Sequence, residues 1–142
     1  MQKKLDNLKE KMIFEISYWG GLGKYAGKGG YILTSDYELY EYRINSLSDF
    51  IKNDPYAPKE GIFKIKTITA SEYKKIVKFI ETEILSDKYE SYNLRDAGYG
   101  VACVYNGKII NAYNCFLKNS EQLNYEDSSL YYKASKLITS LT

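Results

Sequence analysis

Hydrophobic and polar positions change period several times along the 142-residue chain, and each change predicts an element. Leu5, Leu8 and Met12 recur at helical spacing in an otherwise charged opening, so residues 1–11 are expected to form a short docking helix or a partly disordered arm. From Met12 the period drops to two: Phe14, Ile16 and Tyr18 alternate with Ile13, Glu15 and Ser17, as in a strand. That strand runs into Gly20-Gly21. Six of the ten glycines lie between Gly20 and Gly30, and the runs Tyr31–Thr34 and Tyr37–Arg43 beyond them predict two further strands joined at Ser35-Asp36. The expectation is an antiparallel meander with one long, mobile connection.

Ser46–Lys52 reads as a short helix ended by Asp54-Pro55 and Pro58, and Ile62–Ile68 as a strand with one solvated face. Thr69-Ala-Ser-Glu72 then offers a hydroxyl and a carboxylate three residues apart, which can satisfy orphan amides reciprocally at a helix start. Tyr73, Ile76, Val77, Ile80 and Ile84 form the apolar stripe of that helix. After a polar stretch from Ser86 to Asp96, Asn106-Gly107 sits between two β-rich runs, and the type I′ turn it favours sets Val101 opposite Ala112, Cys103 opposite Ile110 and Val104 opposite Ile109. Extending that register to Cys115 points the two thiols to opposite sides, against an intrachain disulfide. Asp127-Ser128-Ser129 can cap a last helix carrying Leu130, Tyr131, Ala134, Leu137, Ile138 and Leu141 on one stripe. With no repeat or linker, residues 1–142 are expected to form one α+β domain: an antiparallel sheet of about five or six strands, two main helices and the short amino-terminal helix.

Composition changes this picture mainly by subtraction. There is no histidine, so the commonest general base and the commonest zinc ligand are missing, and Ser-His-Asp or Cys-His catalysis is excluded. Two cysteines, Cys103 and Cys115, cannot build a four-thiolate metal centre alone, and no metal or cofactor is expected. The opening lacks the apolar core of a secretory signal, and no stretch approaches the roughly 18 apolar residues of a membrane span, so a soluble, cytoplasmic protein without a membrane partner is expected. Twenty basic residues stand against 18 acidic ones with no charged block, and only Arg43 and Arg95 are arginines, a weak footprint for nucleic acid.

Gly21-Leu-Gly23-Lys-Tyr-Ala26 formally matches a dinucleotide-binding glycine pattern, but it leads to a predicted strand rather than to the helix that such a site needs. The glycines are better read as a hairpin finger that meets a partner through Trp19, Tyr25 and Tyr31, with Lys24 and Lys28 supplying charge. Sixteen tyrosines add to this reading, because a ring with a polar tip gives large contact area at low rotamer entropy. Tyr40 and Tyr42 on the following strand, and Val104, Ile109 and Tyr113 on the Asn-Gly hairpin, complete the expected binding surface. One hairpin face is expected either to be covered by the amino-terminal helix or to remain an exposed apolar patch. Among the carboxylates, two of Glu15, Glu41, Asp96 and Glu121 could in principle form a catalytic pair; no spacing brings two of them together, and Glu15 and Asp96 are the first candidates.

No catalytic site is therefore expected. The favoured function is a small non-enzymatic inhibitor or antagonist, of the phage anti-defence (anti-CRISPR-like) kind, that occludes a host protein. A toxin-neutralising immunity protein is one alternative, and a nucleotide binder or enzyme using Gly20–Gly30 is another. The layout of a strand ending in Gly-Gly, a hairpin, a helix and a second hairpin is similar to that of small bacterial accessory proteins, emfourin-type protease inhibitors among them. This similarity is one of layout and carries no site residue across.

Overall fold

The computed structural model describes residues 2–20, 23–86, 88–91, 97–105, 108–113, 115–117 and 129–141, and the side chains of 2–17, 23–86, 88–90 and 129–141. Four helices occur among them: α1 (Gln2–Glu10), α2 (Ser48–Ile51), α3 (Ala70–Phe79), continued by a π-helical turn at Ile80–Ile84, and α4 (Leu130–Ser140). The strands are β1 (Met12–Gly20), β2 (Gly27–Thr34), β3 (Glu38–Asn45), β4 (Gly61–Thr67), β5 (Tyr89–Ser91), β6 (Ala97–Tyr105), β7 (Lys108–Tyr113) and β8 (Cys115–Leu117). The class is α+β. β4, β3, β2 and β1 lie side by side, every pair antiparallel, and the backbone of the β6–β7 hairpin pairs on beyond β1.

Several local signals act as the sequence suggests. Thr69 accepts from the Glu72 amide while Glu72 accepts from the Thr69 amide, a full capping box at the start of α3. Ser129 caps α4 by accepting from the Tyr132 amide. The β6–β7 register sets Val101 opposite Ala112, Cys103 opposite Ile110 and Val104 opposite Ile109. The Asn106-Gly107 turn itself lies outside the described residues.

Other expectations are corrected. The glycine segment is mostly strand: Trp19 pairs with Lys28 and Gly20 with Gly27, so the connection shrinks to residues 21–26. Two glycines are needed for close approach rather than for mobility. A Cβ on Gly30 would lie 2.1 Å from the Ile16 carbonyl oxygen, and one on Gly27 would lie 2.4 Å from that of Ile44. The polar stretch after α3 contains β5, whose Ser91 pairs with Cys115 of β8. Cys115 therefore leaves the hairpin register that was extended to it, and the direction of either thiol falls outside the described side chains.

Both faces of the β1–β4 part of the sheet are covered, by different means; which face of the β6–β7 hairpin is covered lies outside the described side chains. On one face Phe14, Ile16, Leu33 and Leu39 pack beneath α3 and α4 through Ile76, Ile80, Leu130, Ala134 and Ile138, all buried. On the other, α1 lays Leu5 against Ile32 and Tyr42, with Leu8, Met12, Ile44 and Ile62 around them. The opening segment is thus a docked helix. At about 25 cal/mol per Å² of apolar area, a single fully buried leucine contributes roughly 2 kcal/mol, enough to hold a nine-residue helix that could not persist alone.

Candidate functional site

The strand directions bring the ends of β1 and β3 and the starts of β2 and β4 to one end of the sheet. Two connections meet there, residues 21–26 and the segment 46–60 that contains α2. Gly23, with φ of 82°, begins the tip turn, in which the Ala26 amide donates to the Gly23 carbonyl. The Ser46 amide donates to the Ala26 carbonyl, and Arg43 Nη2 donates to the Tyr25 carbonyl at 2.7 Å.

Asp54 is the hub of this end. It accepts from the Tyr56 amide (2.9 Å) and from the Tyr25 hydroxyl (2.8 Å), and Lys24 Nζ lies 3.2 Å away. The Tyr56 amide first, then the Tyr25 hydroxyl, hold its carboxyl below the usual aspartate range. The hydrogen bond to Asp54 raises the Lys24 ammonium in turn, and Lys24 also sits 5.0 Å from the centre of the Tyr25 ring. Asn45 secures the base of the segment: its side-chain amide donates to the Pro58 carbonyl, and its backbone amide donates to Glu60. Between these anchors lies a cleft of 330 Å³, lined by Ile51, Lys52, Ala57 and Lys59 among others.

The tethered end presents large apolar side chains to solvent beside charged ones such as Lys24, Lys52 and Lys59. Phe50 is 76% exposed and Tyr56 85%, and Leu47 and Tyr25 are exposed beside them. α2 explains Phe50: a single turn can bury one side chain, Ile51, which turns its neighbour outward. Leu47, Phe50 and Tyr56 are absent from the surface expected from sequence. Their signal is visible in retrospect as large apolar residues on a proline-bounded segment with no periodic partners.

The expected binding residues do not form one surface. Lys24 and Tyr25 stand at the tip. Trp19 and Tyr113 occupy register positions at the same end of the sheet, Trp19 opposite Gly98 and Tyr113 opposite Gly100, but their side chains lie outside the described set. Val104 and Ile109 are at the opposite end, where Cys103 pairs with Phe14. Tyr31 is half-buried against the main core, and Tyr40 is half-buried with its hydroxyl donated to Glu38, which pushes its pKa up to about 12. Lys28 lies within β2, and burial, then the charge of Lys9, lowers its ammonium.

Tyr42 is the clear correction. It is 1% exposed beneath α1, so it cannot meet a partner while that helix is docked. Its hydroxyl donates to Glu15 at 2.6 Å, and Lys9 Nζ approaches the same carboxylate at 3.8 Å. Glu15 is 4% exposed and is held by a phenol and an ammonium, whereas a catalytic pair would need a second carboxylate. Glu41 cannot serve: Tyr31, which pairs with it, also pairs with Ile16, one residue from Glu15 and so on the opposite face. Asp96 and Glu121 lie outside the described residues.

Among the described residues no group of three Cys, Asp or Glu is placed to hold a metal ion, and no helix is long and apolar enough to cross a membrane. The glycine segment leads into strand β2, so no helix N-terminus follows it to receive a phosphate. No family model, curated protein or solved structure matches this chain.

Proposed function

We propose that this protein is a small non-enzymatic binder that occludes a surface of a host protein, an antagonist of the anti-defence kind. The observation that carries the reading is the exposed set Tyr25, Leu47, Phe50 and Tyr56 on two connections tied together through Asp54. Exposed aromatics on a backbone already fixed lose little entropy on binding, the property of energetically dominant contacts. Lys24, Lys52 and Lys59 around Asp54 and Glu60 supply a charged rim. Trp19 belongs to the proposal by its position at the same sheet end.

Capture from a bacterial host lysate tests this reading. The wild-type protein should retain one protein at near-stoichiometric yield, and the Phe50→Ala/Tyr56→Ala variant, still folded by circular dichroism, should lose it. A second variant, Trp19→Ala/Tyr25→Ala, extends the test to the finger. Undiminished capture by both variants would remove this end of the sheet from the function.

A further inference from the structure

β4 is an edge strand. It pairs with β3 on one side, and among the described residues no backbone group of 61–67 bonds anything on the other. An open edge of seven residues is a template for another strand. Beside it, between α1 and the β3–β4 ribbon, runs a groove of 260 Å³ lined by Lys4, Asn7, Leu8, Lys11, Tyr40 and Ile62. Its floor is apolar and its only charged lining residues are two lysines.

We propose that β4 and this groove take an extended acidic peptide segment of a partner protein, added antiparallel or parallel to β4 with alternate apolar side chains set against Leu8, Tyr40 and Ile62. Charge selects this occupant. β4 carries no acid; its Lys64, opposite Tyr40, lies on the groove side with Lys4 and Lys11, while Lys66 pairs with Glu72 at the start of α3. Lys11 and Lys64 now face Asp36 and Glu38 in solvent-exposed pairs. Such pairs contribute little and can be exchanged for a peptide carboxylate. The same lysines oppose a second copy of the chain: antiparallel self-pairing centred on residue 64 or 65 sets lysine against lysine. This surface is separate from the Tyr25–Phe50–Tyr56 end and stands independently of the function proposed for that end.

The test is fluorescence anisotropy on the full chain. The probes are labelled peptides of about ten residues, the upper range of strand lengths, in which Glu alternates with Val, Ile or Tyr. Lys-for-Glu peptides, peptides N-methylated at alternate residues and a single-stranded oligonucleotide serve as comparisons. The acidic peptides should bind saturably and the lysine peptides should not. N-methylation of the pairing edge should remove binding, because it deletes the backbone donors while keeping the charge. Lys4→Glu/Lys11→Glu, both exposed positions, should weaken binding about tenfold without lowering the thermal midpoint. Absence of saturable binding, equal binding of the lysine peptides or the oligonucleotide, or full affinity of the N-methylated peptides would each overturn the proposal. So would sedimentation showing a dimer that the acidic peptides do not dissociate.

Discussion

The same chemical pair, a tyrosine hydroxyl donated to a carboxylate, occurs in two regions with opposite consequences. At the finger end Tyr25 donates to Asp54 at 2.8 Å in contact with solvent; beneath α1 Tyr42 donates to Glu15 at 2.6 Å in the interior. Water competes for the first bond and not for the second. The buried pair therefore contributes to folding and fixes where α1 sits. The exposed pair fixes the shape of a loop, leaving its neighbours Phe50 and Tyr56 in solvent. Identical donors and acceptors become a structural clamp in one place and a brace beneath exposed aromatic side chains in the other.

The largest expected effect removes the cover from the buried region. Leu5→Ala should cost about 2–4 kcal/mol by denaturant unfolding, the range for a fully buried leucine. A cost near zero would mean that α1 is an ornament on the sheet rather than part of its core. A smaller loss, about 1–3 kcal/mol, is expected from Tyr42→Phe, which strips Glu15 of its 2.6 Å donor while keeping the ring. The matched change Tyr25→Phe, at a bond open to solvent, should lower the unfolding midpoint far less. Equal effects of the two substitutions would erase the distinction between the regions.

Acidification tests the exposed pair. Asp54 is held below its ordinary pKa of 3.8, chiefly by the Tyr56 amide and then by Tyr25, so the folded state binds its proton less readily than the unfolded chain does. Its contribution is complete above the ordinary aspartate value and is lost as pH falls through the lower folded value. Carboxyl NMR titration should find the Asp54 midpoint below 3.8, and Tyr25→Phe should move it upward. A wild-type midpoint at or above 3.8 would show that the finger is not docked on Asp54. Glu72, lowered by the Thr69 amide and Lys66, follows the same direction at the α3 cap.

Local chemistry was well written in the sequence, because it depends on neighbours a few residues apart. The Thr69–Glu72 box, the Ser129 cap and the β6–β7 register all follow from short-range spacing. Period-two alternation also separated Phe14 and Ile16 from Glu15. It does not say which tyrosines a helix from elsewhere covers, and so it places Tyr42 on the surface. The glycines misled for a related reason. Gly30 is required by the approach of the Ile16 carbonyl on a neighbouring strand, a long-range demand that looks in one dimension like a flexible loop. Phe50 was hidden by its setting in a short proline-bounded helix, where exposure depends on which side chain the single turn of α2 buries.

Recognition is proposed to reside at the Tyr25–Phe50–Tyr56 end. The most direct test is titration calorimetry of the captured partner against the wild type, Phe50→Ala and Lys4→Glu/Lys11→Glu. Phe50→Ala should weaken binding about 30-fold, equivalent to the roughly 2 kcal/mol of a dominant aromatic contact, with the charge-reversed variant binding as the wild type does. Wild-type affinity in Phe50→Ala, with or without a loss in Lys4→Glu/Lys11→Glu, would contradict the assignment.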